Sequence, residues 1–107
     1  MSDPDNTVLN GPVYSTFADD PDYAELLEMF LETVPEKRQA VEGAFRSGDF
    51  DGVRTLAHQL KGAGGGYGFN GLTDVAAELE AACKANDADR IGPALDRLLE
   101  YLDRLSV

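Results

Sequence analysis

The chain has 107 residues and a formal net charge of −11, with 20 Asp and Glu set against 9 Lys and Arg, one histidine and one cysteine. That length bounds it to one small domain, and the acidic balance excludes duplex nucleic acid and anionic membrane surfaces, both of which recruit clustered Lys and Arg. Cys83 has no internal disulfide partner, no run approaches the roughly 20 apolar residues of a membrane span, and no basic-then-apolar leader is visible. A soluble protein of a reducing, cytoplasmic compartment is expected.

Residues 1–18 (MSDPDNTVLNGPVYSTFA) mix polar residues, Gly and Pro without a period. They read as a flexible tail with at most one short turn packed on the body, leaving residues 19–107 as the folded domain. From Asp20 onward the period is helical. Tyr23, Leu26, Leu27, Phe30, Leu31 and Val34 form one apolar stripe. Thr33-Val34-Pro35-Glu36 then reads as a new helix start, with Thr as cap and Pro in the first turn. One long helix kinked at Pro35 is the alternative. The segment carries Ala40, Val41, Ala44 and Phe45 inward and stops at Ser47-Gly48.

Asp49 or Asp51 caps the following helix, whose apolar set is Phe50, Val53, Leu56, Ala57 and Leu60. A glycine-rich stretch follows. The next helix carries Leu72, Val75, Ala76, Leu79 and Cys83 at helical spacing. Asn86-Asp87 is the turn and cap before a last helix burying Ile91, Leu95, Leu98, Leu99, Leu102 and Leu105, with a bend or later start expected at Pro93. With no period-2 segment, the fold expected is all-α: an antiparallel four-helix bundle with an additional N-terminal helix or segment.

The charge is uneven along the chain. Residues 1–34 hold eight Asp and Glu and no Lys or Arg, whereas residues 35–61 hold Lys37, Arg38, Arg46, Arg54 and Lys61. The only histidine, His58, lies in this most basic part. On a wheel of about 100° per residue, its helix centres its core face between Leu56 and Phe50, and His58 falls roughly 140° away. It therefore points to solvent, beside Asp51, Arg54, Lys61, Gly62 and Gly65. A plain surface histidine is the bland alternative.

The glycines bear on that choice. Gly62, Gly64, Gly65 and Gly66 stand where the helix would continue, although each interior Gly costs about 1 kcal/mol against Ala. Three readings are open: the helix ends at Gly62, the glycines let two backbones approach closely, or they leave the imidazole clear for a bulky partner. A nucleotide-phosphate cradle is excluded, because no strand precedes the run and no Walker pattern is present. An imidazole is a competent nitrogen nucleophile near neutral pH, and phosphoryl transfer needs access and charge stabilisation more than covalent help. Lys61 at i+3 and Arg54 at i−4 could each steady a phosphoryl oxygen or an acidic partner.

The block Ala57-His58-Gln59-Leu60-Lys61-Gly62-Ala63, with Gly68 and Leu72 downstream and Leu79-Glu80 after them, resembles the signature of histidine-containing phosphotransfer domains. The run Gly64-Gly65-Gly66-Tyr67-Gly68-Phe69 is similar to the phosphotransfer domain of chemotaxis-type histidine kinases. The glycine run is richer than usual, and Phe69 stands where many members have Ala. The resemblance covers about residues 20–105. It implies that His58 is phosphorylated at Nε2, that Lys61 assists the phosphoryl group and that Gly62 provides access. It also implies that Glu80 hydrogen-bonds the other ring nitrogen; on the residues alone, Glu80 is equally a surface charge at a helix edge. Tyr67 and Phe69 would pack near the site and Cys83 in the core.

The function implied is a phosphoryl carrier without turnover of its own, exchanging phosphate with a response-regulator receiver domain or a histidine kinase. Arg54, Gln59 and Gly65 are the expected partner contacts. No cofactor is expected on this chain; Mg²⁺ would sit in the receiver. A monomer is expected, without nucleic-acid or membrane partners. The competing reading is an acidic helical interaction module whose histidine is incidental. A carboxylate-bridged metal centre fails for want of inward-facing Glu and His pairs, and a kinase for want of a nucleotide-binding segment.

Overall fold

A computed structural model describes residues 11–106. In chain order these form β1 (Val13–Tyr14), α1 (Ala24–Arg46), α2 (Phe50–Gly66), α3 (Asn70–Lys84), α4 (Ala88–Arg104) and β2 (Leu105–Ser106). The architecture is the expected all-α bundle of four helices. Among the described residues no helix is long and apolar enough to cross a membrane.

α1 is one helix of 23 residues with Pro35 inside it, not two. Proline removes the donor that would serve the Leu31 carbonyl. Burial of Leu27, Phe30 and Val34 before it and Val41 after it carries the helix across that gap. The buried stripe is narrower than the apolar pattern, because α1 is covered from one side only. Leu26, expected inside, is 47% exposed, and Ala40 is exposed as well. Phe50, at the very start of α2, is also outside at 38% exposure, with its ring 6.0 Å from that of Phe45.

The capping chemistry follows the sequence at the α1–α2 turn, whereas Asp87, the expected cap of α4, makes no side-chain cap hydrogen bond. Gly48 closes α1 with a φ of +75°, a backbone region that costs glycine little. Asp49, not Asp51, caps α2 by accepting the Gly52 N–H at 2.9 Å. α4 begins directly after Asp87 and runs through Pro93 without a later start.

Three glycine-mediated approaches lock the bundle around the α2–α3 hairpin. A Cβ on Gly64 would lie 2.7 Å from both the Thr73 backbone nitrogen and Oγ1. The two helices therefore touch backbone to backbone there, and Thr73 Oγ1 donates to the Lys61 carbonyl at 2.9 Å. Gly68 turns the chain with a φ of +79°, and Gly71 packs against the hydroxyl end of the Tyr101 side chain of α4.

Residues 1–10 of the expected tail lie outside the described residues. Residues 11–18 are seated on the bundle. Val13 and Tyr14 pair in parallel with Leu105 and Ser106, so Leu105 ends the chain's last helix in a strand and is only half-buried. Ser15 Oγ donates to the Tyr67 carbonyl at 2.6 Å, Thr16 N to the Gly68 carbonyl at 2.9 Å, and Phe17 stacks on Tyr23 at 4.3 Å.

Candidate functional site

α2 turns Val53, Ala57 and Leu60 into the core, each 3% exposed or less. That rotation fixes where His58 goes: outward, with 67% of its side chain exposed. The opposite holds for Glu80. It follows Leu79 on α3 and is only 5% exposed, one of two buried polar residues found in the described chain. The close backbone approach at Gly64 brings the two helices near enough for the pair to meet.

His58 Nδ1 lies 2.9 Å from Glu80 Oε2, and Lys61 Nζ donates to Glu80 Oε1 at 2.7 Å. Lys84, one turn along α3, holds its ammonium 3.6 Å from Oε2. A buried carboxylate is costly unless it is paired and hydrogen-bonded, and these three groups supply what it needs. The hydrogen bond from Lys61, against the opposing effect of burial and with help from His58 and the charges of Lys61 and Lys84, holds the Glu80 carboxyl down to about 2. An ionised carboxylate only accepts. Nδ1 is therefore the donor to Glu80, and Nε2 is the ring nitrogen not engaged by that carboxylate.

A stability consequence follows. The Glu80 carboxyl falls from an ordinary value of 4.5 to about 2 on folding, so the folded state releases that proton more readily than the unfolded state. Its contribution is complete above about pH 4.5 and fades as the pH falls towards 2. Thermal melts of wild type and Glu80→Gln between pH 6 and pH 2 should show wild type losing stability relative to the variant across that window. A constant difference would show that Glu80 does not titrate with folding.

The four glycines all lie within α2, so the helix does not end at Gly62. They divide by environment. Gly64 is a packing contact, and Gly65 lies at the α2–α3 seam, where a Cβ would meet Thr73 Oγ1 at an ordinary 3.7 Å. Gly62 and Gly66 face open space, with nothing within 4 Å of a Cβ. The surface next to the imidazole is correspondingly low. On the side towards α1 lies a small recess lined by Lys37, Leu56, Gln59, Leu60 and Ala63. Beyond it stands Met29, 56% exposed.

The structure thus brings together His58, Lys61 and Glu80, with Gly62 beside them. Gln59 lies on the α1 shoulder, apart from the carboxylate cluster. Arg54 lies on the other side, in an open depression that it shares with Thr55, His58, Glu80 and Lys84. Lys84 is a site residue that the sequence marks only by its i+4 spacing from Glu80, a spacing that carries meaning because Glu80 is buried. Tyr67 stacks on Phe30 at 4.4 Å, and Phe69 and Cys83 are buried in the core.

A family model described as the Hpt domain matches residues 25–107. No curated protein and no solved structure gives a match.

Proposed function

The chain belongs to the Hpt domain family, whose members are phosphocarriers of two-component signalling, and from that premise we propose that His58 accepts a phosphoryl group from a receiver-domain aspartate or a histidine kinase and passes it on. One observation carries this reading: an imidazole 67% exposed to solvent whose inner nitrogen is held 2.9 Å from a buried carboxylate.

Transfer from an aspartyl phosphate balances simply. The Nε2 lone pair forms the bond to phosphorus as the bond from phosphorus to the aspartate oxygen breaks, and the aspartate leaves as a carboxylate. The ring gains one positive charge while keeping its Nδ1 proton. Glu80 faces that proton and stabilises the charge as it develops. The reverse step returns the phosphoryl group and the electron pair. Lys61 keeps Glu80 ionised and in place, and Gly62 leaves the line of approach open. The divalent ion that such transfers use is assigned to the receiver. The low surface between α2 and α1 is where the partner docks, with the carrier acting as a monomer.

The test is direct. Mixed with phosphorylated receiver domains and Mg²⁺, the protein should take up acid-labile, base-stable phosphate that peptide mapping places on His58. Label on another residue, or none from any receiver or kinase, would overturn the reading.

A further inference from the structure

The depression walled by Arg54, Thr55, His58, Glu80 and Lys84 opens beside the imidazole, towards the start of α2 and the end of α3. Two of its five walls are cations, and both are loosely held. Arg54 Nη2 is 3.9 Å from Asp51 Oδ1 and Lys84 Nζ is 3.6 Å from Glu80 Oε2, separations beyond hydrogen bonding. Thr55 has no donor to spare, because its hydroxyl donates to the Asp51 carbonyl at 3.0 Å. Lys61 is the opposite case. Its ammonium is drawn to 2.7 Å from Glu80 Oε1, and moving it away would leave a buried carboxylate short of a donor.

We propose that this depression is an oxyanion site, in which Arg54 and Lys84 receive the oxygens of the phosphoryl group borne by His58 while Lys61 stays on Glu80. The inference rests on His58 being the carrier. It departs from the role that sequence resemblance gives Lys61. The phosphoryl dianion meets two cations with N–H groups directed by nothing stronger than a long ion pair, and forms charge-assisted hydrogen bonds to them. Lys61 is then a positioning residue, acting through Glu80.

Potassium phosphoramidate, a small donor that needs no docking surface, provides the test. After chemical phosphorylation, the ³¹P signal of phosphohistidine is titrated in the full chain. Nearby cations favour the dianion, so Arg54→Ala and Lys84→Ala should each raise the titration midpoint, on the order of half a unit at partly screened positions. Arg54→Lys and Lys84→Arg should restore it, and Lys61→Gln should raise it by less than either alanine variant. A midpoint unmoved by the Arg54 and Lys84 variants, or moved only by Lys61→Gln, would overturn the oxyanion site while leaving the carrier reading intact. Absence of any phosphohistidine signal in wild type would remove both.

Discussion

Exchanging His58 for glutamine should abolish the acid-labile label completely while shifting the melting temperature by no more than about 4 °C. The chemical half of this expectation rests on inventory: His58 is the only histidine in the chain, and an amide nitrogen has no basic lone pair with which to attack phosphorus. The structural half rests on exposure. With 67% of the side chain in solvent, the substitution removes little packing, and surface changes of this kind stay within about 0.5 kcal/mol. The glutamine amide can still donate towards Glu80, so the buried carboxylate keeps a partner. Labelling with a phosphorylated receiver, melting followed by circular dichroism, and receiver binding should be measured on the same preparation. Retained label in the variant would place the carrier residue elsewhere. Lost label with retained receiver binding is the expected combination, and it separates a carrier from a passive docking module.

The second large effect contrasts two glycines that lie two residues apart on one helix. Gly64→Ala should destabilise the protein by about 1–3 kcal/mol. Alanine gains roughly 1 kcal/mol of helix propensity, but its Cβ would sit 2.7 Å from the Thr73 backbone nitrogen and 3.0 Å from the Phe69 carbonyl. Backbone cannot rotate aside as a side chain can, so α2 and α3 must move apart. Gly62→Ala meets nothing within 4 Å and should stabilise by up to about 1 kcal/mol. Its cost should appear in function: transfer from a receiver slowed about tenfold or more, with labelling by phosphoramidate unchanged. Thermal melts and transfer rates on the two variants decide the matter. If Gly62→Ala transfers at the wild-type rate, the open surface is not used for docking. If Gly64→Ala melts at or above wild type, the helices are less tightly apposed than the structure shows.

These two glycines also mark where the sequence was legible and where it was not. Helical period located the four helices and most of the core, because burial repeats along the chain. The glycine run left three readings open. Gly64 and Gly62 are the same residue in the same helix, and only the position of α3 separates packing from clearance. Pro35 was ambiguous for a similar reason: local propensity favours a break, while the apolar contacts on either side of it, made with distant parts of the chain, favour continuity. Leu26 and Ala40 had the right spacing for the core, but α1 is covered too narrowly to bury them. At the site, outward placement of His58 followed from the wheel alone. The burial of Glu80 did not, since a charged residue at a helix edge reads as solvated; its contact with the ring came only from the family resemblance, and Lys84 had no signal beyond its i+4 spacing from Glu80. The pairing of residues 13–14 with 105–106 had no sequence signature, because two-residue strands are too short to show a period.

That small pairing gives the fold a mechanical property. The strands run parallel, so tension applied through the chain on either side of the bundle enters β1 at its first residue and leaves β2 at its last, which are opposite ends of the pair. The load is a shear: the bonds between the strands resist together and cannot be opened one at a time like a zipper. Pulling on the chain therefore strains this clasp before any helix begins to unwind. The His58–Glu80 contact, held on α2 and α3, lies outside the direct line of force.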